Sequence, residues 1–381
     1  MLNKIQLILF SLFFIFNFIN RDISSIFLLA TIGTCLYDYK NFKLQLTKNK
    51  YLVLLIILFT LWICVVGIYH NAPISELDNY FRLILLLPLL VIKMEDKVWR
   101  NILLYSAAGA CVHLIYSYYN FDIPRYYGTS GHPITFANMI VTLILLILIY
   151  LQNNSLNKLS IFIVFIIVSL LFVSWVMTET RGPVIGFILS LLLILYWSRS
   201  KVIFFFTIVS MLTLFFFQNS LSERIIKLSD LEISLFDKTS IEKVLRSHSS
   251  KYVPLRERGG YFFYGFSTIN KHPLLGIGPQ NVEDGMREYL DDTGYLAVAR
   301  DHLHNDFLDI SVKFGTPALV LLLLIYLLLV YDGSSPRNKH AFIIFMVMLI
   351  TSQLSQSHFA HHQAITFFIS AMYVLRDTLK T

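Results

Sequence analysis

Apolar runs long enough to cross a membrane recur along this chain, and they limit what it can fold into. They fill most of the sequence from Ile5 to Phe217 and return from about residue 316 to the C-terminal end. A helical span needs about 20 apolar residues. In lipid every backbone N–H and C=O must be paired within the protein, which leaves helices or a closed barrel. The runs are continuous rather than alternating, so helices are expected. Charged residues make up 14% of the chain, against about 25% in soluble domains. The expected fold is therefore all-α and polytopic.

Twelve candidate spans can be marked, at roughly 4–20, 23–38, 51–69, 80–93, 99–119, 132–151, 159–177, 183–198, 201–217, 316–331, 340–356 and 359–376. The first run, Ile5 to Ile19, lacks a small-residue cleavage site and leads straight into another run, so it reads as a first span rather than a signal peptide. The expected division is 1–217 with nine spans, 218–315 as a large, partly helical extracytoplasmic loop, and 316–381 with the last three spans. Within that loop, Leu221 to Lys251 reads as amphipathic helix at the membrane surface.

Positive charge gives the orientation. Alternate short loops carry Lys40, Lys43, Lys48 and Lys50, then Lys93, Lys97 and Arg100, then Lys158, then Arg199 and Lys201, then Arg337 and Lys339. These should be cytoplasmic, as should both termini. The net charge of +7 lies largely in those loops, so it points to membrane lipids and not to nucleic acid. Cys35, Cys64 and Cys111 all sit in apolar runs and read as buried small hydrophobes, with neither disulfide nor zinc spacing.

The polar residues left facing outward are few. Arg82 lies at the start of the fourth span, Arg125 in the loop 124–133, Arg181 in the break Thr178-Glu-Thr-Arg-Gly-Pro183, and Arg258 in the long loop. Any one of them could simply snorkel to headgroups. Together they suit a pyrophosphate, because the forked, always-charged guanidinium matches phosphate oxygens and can neutralise a leaving group. Just before the membrane pattern resumes stands Asp301-His-Leu-His-Asn-Asp-Phe-Leu308. His304 could take a proton from a hydroxyl nucleophile at neutral pH. Asp301, Asp306 and Glu179 are candidates to orient it. His302-x-His304 with Asp306 and Asp309 could instead be a metal site, completed by His358, His361 or His362 if the last outer loop folds over. The preferred reading of those last three is as headgroup-facing polar residues. Gly276-Ile-Gly278 forms a turn and lacks the context of a nucleotide loop.

His304-Asn305, nine residues and then Gly315 resembles the His-Asn-x9-Gly-x-x-Gly signature of the O-antigen ligase and polymerase superfamily, with Ala318 in place of the last glycine. Arg258 fifteen residues before Pro273-Leu-Leu-Gly-Ile-Gly278, Thr180-Arg181-Gly182, and Arg125-x-x-Gly128 resemble other stretches of that family: the one preceding the signature, its Arg-Gly break and its earlier outside loop. The likeness runs from about Arg82 to the C-terminal end. Protein O-oligosaccharyltransferases carry paired threonines after the glycine motif, where this chain has Ala318-Leu-Val320. The wording and compact size are most similar to the O-antigen ligases.

This resemblance implies a metal-independent, inverting glycosyltransferase without cofactor, in the bacterial inner membrane, with its active site facing the periplasm. It would transfer O-antigen from an undecaprenyl pyrophosphate-linked donor to a sugar hydroxyl of the lipid A–core acceptor. His304 would be the general base, Arg181, Arg258, Arg125 and Arg82 would bind the pyrophosphate, and His302, Asn305 and Asp306 would support them. Two rivals stand beside it: an O-antigen polymerase with the same chemistry on a lipid-linked acceptor, and a transporter of lipid-linked sugar. Paired halves and matching broken helices, which favour a transporter, are not evident in the sequence.

Overall fold

The computed structural model describes residues 2–93, 96–120, 126, 128–130, 132–153, 158–180, 182–197, 238–248, 253–331 and 336–378. All regular structure among them is helical. The protein is an all-α, multi-pass membrane protein. Four described helices, Lys50–Tyr69, Val98–Tyr119, Leu159–Met177 and Asp306–Tyr331, are long and apolar enough to cross a membrane, and five shorter ones are apolar as well. The expected span at 201–217 and most of the expected surface helix 221–251 lie outside the described residues.

The first eight predicted runs correspond to α1 (Leu2–Phe16), α2 (Arg21–Tyr37), α4 (Lys50–Tyr69), a broken segment, α7 (Asp96–Asn120), α8 (Pro133–Asn153), α9 (Lys158–Met177) and α10 (Gly182–Trp197). The basic loop after α2 is itself helical, α3 (Tyr39–Lys48). The broken segment replaces the expected helix at 80–93. It comprises two short turns, α5 (Ile74–Leu77) and α6 (Arg82–Leu85), and a 3₁₀ stretch, Leu87–Val91. Pro88 explains the break, because it has no N–H to bond the carbonyl four residues back. Helix α8 is buried on all sides from Thr135 to Ile149 and packs against α7, α9, α10 and α15 (Pro336–Ser355). A helix apolar all round belongs in the centre of a bundle. Leu54, Leu58, Leu61, Val65 and Ile68 of α4 stay exposed, forming an apolar face suited to lipid.

After residue 238 come α11 (Lys238–Leu245), α12 (Val253–Lys271) and α13 (Val282–Thr293), then the long α14 (Asp306–Tyr331), α15 and α16 (His362–Thr378). Tyr261 and Tyr264 of α12, Val282, Met286 and Leu290 at α13, and Leu303, Leu308 and Val312 form a second, smaller core, separate from the main one. This core seats α12 and α13 on the first half of α14.

The apolar run begins at about residue 316, but the helix starts ten residues earlier, at Asp306. Asn305 caps it, its side-chain oxygen accepting the N–H of Leu308 at 3.1 Å. Asp306 and Asp309 occupy its first turn, where carboxylates favour a helix N-terminus. The helix then breaks at Gly315 (φ 79°, ψ 169°) and continues from there. Pro317 has no N–H for the carbonyl of Lys313, so the ladder could not run through unaided. Three freed carbonyls find partners elsewhere. Val312 accepts the N–H of Ile277 at 2.9 Å and Lys313 that of Gly278 at 3.1 Å. Phe314 accepts the indole N–H of Trp62 on α4 at 2.8 Å. The N–H of Thr316 goes to Pro273 at 2.8 Å. The two-glycine turn is therefore a clasp around the break, and it ties the outer segment to the spans.

Candidate active site

His304 lies in the last turn before α14, in a left-handed conformation (φ 53°). A non-glycine residue there carries about 1–3 kcal/mol of strain, sustained only when its surroundings fix it. The flanking amides do so. The N–H of Leu303 donates to Asp309 at 3.1 Å, and that of Asn305 to the Ser357 hydroxyl at 3.1 Å. The Asn305 amide also donates to the Leu354 carbonyl at 3.3 Å, stitching the turn to the end of α15. Asp309 is fully buried, ion-paired with Lys313 at 2.9 Å and bonded by the Tyr80 hydroxyl at 3.4 Å.

Imidazoles crowd around this turn. The His302 ring lies 4.6 Å from that of His304, edge to face, and 6.0 Å from His361. His132, from the loop before α8, stacks on His361 at 4.8 Å. Tyr261 of α12 covers the other side of His304, with ring centroids 5.6 Å apart. His304 Nδ1 lies 2.9 Å from Gln356 Oε1, and Gln356 Nε2 lies 2.9 Å from His361 Nε2. No bond among the described residues involves His304 Nε2.

The electrostatics keep His304 and His361 neutral. Burial, then the neighbouring His302, pushes His304 down to about 4, with Arg258 and His132 acting the same way and Gln356 opposing them. Burial and the surrounding imidazoles take His361 down to about 3. The bond from His302 holds Asp301 down at about 2; the two lie 2.7 Å apart. The arrangement is thus an imidazole that is neutral, and so able to accept a proton, but weakly basic, beside fixed positive charge.

Several sequence-predicted residues meet here. His302, His304 and Asn305 share the turn, and the exposed Arg258, one helical turn before Tyr261, acts on His304 through its charge. Asp306 is wholly buried and turned away, accepting the N–H of Phe359 at 3.0 Å. Arg82 is engaged with Asp78 at 3.7 Å, Thr366 at 3.3 Å and His362 at 3.4 Å, beside His361. Arg125 and Arg181 lie outside the described residues, although their neighbours do not. The N–H of Tyr126 donates to Met177 at 3.0 Å. A Cβ on Gly182 would come within 2.9 Å of the Ser355 hydroxyl, directly before Gln356.

Two expectations need correction. The group bonded to His304 is the Gln356 amide and not Asp301, Asp306 or Glu179. His358 and His361 do not face headgroups. His358 is fully buried against Ser352, 2.8 Å away, and His361 belongs to the site. Gln356 has a signal in the polar run Ser352-Gln-Leu-Ser-Gln-Ser-His358, which interrupts the apolar pattern before the last span, and His361 reaches the cluster as in the alternative in which the last outer loop folds over. Among the described residues no three His, Cys, Asp or Glu side chains are grouped to hold a metal ion.

Residues 166–323 match a family model described as O-antigen ligase. The matched stretch includes Arg258, His304 and the Gly315 break. No curated protein matches the chain.

Proposed function

From the match of residues 166–323 to the O-antigen ligase family model, we propose that the chain is an O-antigen ligase. It transfers the finished glycan from undecaprenyl pyrophosphate to a sugar hydroxyl of lipid A–core, at the periplasmic face of the inner membrane. The observation that carries this reading is His304: a neutral, half-buried imidazole with Nε2 open, beside the positive charge of Arg258.

In the proposed step the acceptor hydroxyl gives its proton to His304 while its oxygen attacks the anomeric carbon of the donor. The bond from that carbon to the pyrophosphate oxygen breaks, and undecaprenyl pyrophosphate leaves with the electron pair. Attack opposite the leaving group inverts the anomeric centre. Arg258 and Arg181 are proposed to neutralise the pyrophosphate, which makes a metal ion unnecessary. Support for Arg181 is the close packing of the adjacent Gly182 on Ser355, next to Gln356. Arg125 precedes Tyr126, which is tied to Met177 near the same break. Arg82 is given the weaker part, because Asp78 already pairs with it. The proposed topology keeps twelve spans, cytoplasmic termini and a periplasmic segment 218–315.

Lipopolysaccharide from cells lacking the gene, complemented with wild type or His304→Ala, tests the proposal on a banding gel. Ligation requires bare core in the null, full-length glycan retained on its lipid carrier, and a ladder restored by wild type alone. Core bearing a single repeat unit would make the protein a polymerase. Unchanged function of His304→Ala would remove the base.

A further inference from the structure

Gln356 is fully buried, and both ends of its amide are in use. The oxygen faces His304 Nδ1 at 2.9 Å and the nitrogen faces His361 Nε2 at 2.9 Å. The residues around it are fixed to the same turn: Leu354 and Ser357 both bond Asn305. An amide oxygen can only accept and an amide nitrogen only donate.

We infer that Gln356 is a positioning residue that selects the reactive tautomer of His304. Its oxygen accepts a proton held on Nδ1, which leaves the lone pair on Nε2, the nitrogen open to substrate. Its own orientation is set from behind, because its nitrogen must donate to His361, which therefore has to present an unprotonated Nε2. His361 stays neutral across the neutral range, held at about 3 by burial and by His132, His302 and His304, so one of its ring nitrogens is free to accept. Gln356 and His361 thus do for His304 what a buried carboxylate does for the histidine of serine hydrolases, without placing a negative charge near a pyrophosphate. An aspartate or glutamate there would raise the basicity of the imidazole, but it would also repel the donor.

The inference rests on His304 being the base, and its test separates the two ideas. The other charged groups acting on this region are Arg258 and Glu257 from α12, Arg300 near Tyr261, the pair Asp301–His302, and His132 and His361. None is altered in the variants proposed.

The experiment uses the full chain in nanodiscs, with lipid-linked glycan as donor and lipid A–core as acceptor. Gln356→Met removes the acceptor and should lower kcat with little change in KM. In serine hydrolases the wrong tautomer costs on the order of 10⁴-fold, so a fall between tenfold and about that limit is expected. Gln356→Glu keeps an acceptor and adds charge, so it should retain more activity than Gln356→Met and move the acid limb of kcat/KM to higher pH. A purely structural role would not move that limb. In parallel, ¹⁵N-histidine NMR of the wild-type protein should show His304 with its proton on Nδ1. Wild-type kcat in Gln356→Met, an unmoved acid limb in Gln356→Glu, or a proton on Nε2 would each overturn the inference. If the NMR result is as expected but His304→Ala remains active, the base assignment fails and the positioning stands.

Discussion

Gly315 lies so close to the carbonyl oxygen of Leu274 that a Cβ there would overlap it. The backbone at Gly315 (φ 79°, ψ 169°) is in a region open essentially to glycine alone. Gly315→Ala therefore combines about 1–3 kcal/mol of backbone strain with a clash against a main chain that cannot swing aside. A large loss of thermal stability in detergent is expected, with loss of activity. Ala318, three residues on, stands in ordinary helix and is fully buried. Ala318→Gly restores the family's glycine and should cost only about 1 kcal/mol, the usual helix penalty. Equal melting temperatures for the two variants would show that the clasp around the break does not need a glycine.

The free protein should keep a competent base well below the usual histidine range. Protonated His304 cannot accept the hydroxyl proton, and burial, His302 and Arg258 hold it at about 4. The acid limb of kcat/KM, which reports the free enzyme, is expected near pH 4. Removing a positive neighbour makes protonation easier, so Arg258→Gln should shift that limb upward while weakening donor binding. His304→Ala should slow turnover by about 10²–10⁴-fold. A limb near pH 6.5 that Arg258→Gln leaves in place would assign the titration to another group.

The membrane architecture and the catalytic turn were legible in the sequence for different reasons. Continuous apolar runs leave a helix no competitor in lipid, so eleven of the twelve expected runs lie near described helices, although the one at 80–93 is broken at Pro88 and the one at 201–217 lies outside the described residues. The start of α14 was hidden because Asp306, Asp309, Ser311 and Lys313 read as loop, whereas all four are buried. Their burial depends on partners far away in the chain, such as Tyr80 and Phe359. His304 and Arg258 stood out because ionisable groups are rare in this composition. Gln356 did not, since an amide carries no charge and its role exists only once the end of α15 meets the turn at 304.

The buried pair Asp309–Lys313 should be the main support of the catalytic turn. Asp309 accepts the Leu303 N–H at 3.1 Å as well as the Lys313 ammonium at 2.9 Å. Asp309→Ala leaves a buried cation uncompensated and an amide unpaired, and breaking such a pair costs about 3–5 kcal/mol. Lys313→Met strands the carboxylate but leaves the bond to Leu303. The double variant should be less harmful than the sum of the two singles, because neither charge is then left alone. Strict additivity in thermal melts would show that the pair is not coupled.

Acid should destabilise the fold through His358. Burial holds this imidazole at about 3, against 6.5 in the unfolded chain. Its folded value is the lower one, so below pH 6.5 the unfolded state takes up a proton that the folded state refuses. Stability is then lost as pH falls from about 6.5 toward 3, at up to about 1.4 kcal/mol per pH unit for each such proton. His304 and His361 are also held low and add to the slope in the same direction. His358→Gln keeps a polar side chain beside Ser352 and removes one of these protons. The fall in melting temperature between pH 7 and pH 4.5 should therefore be shallower in the variant, even if its stability at pH 7 is lower. A slope identical to wild type would mean that His358 is already protonated in the folded protein, and that its burial against Ser352 is compatible with charge.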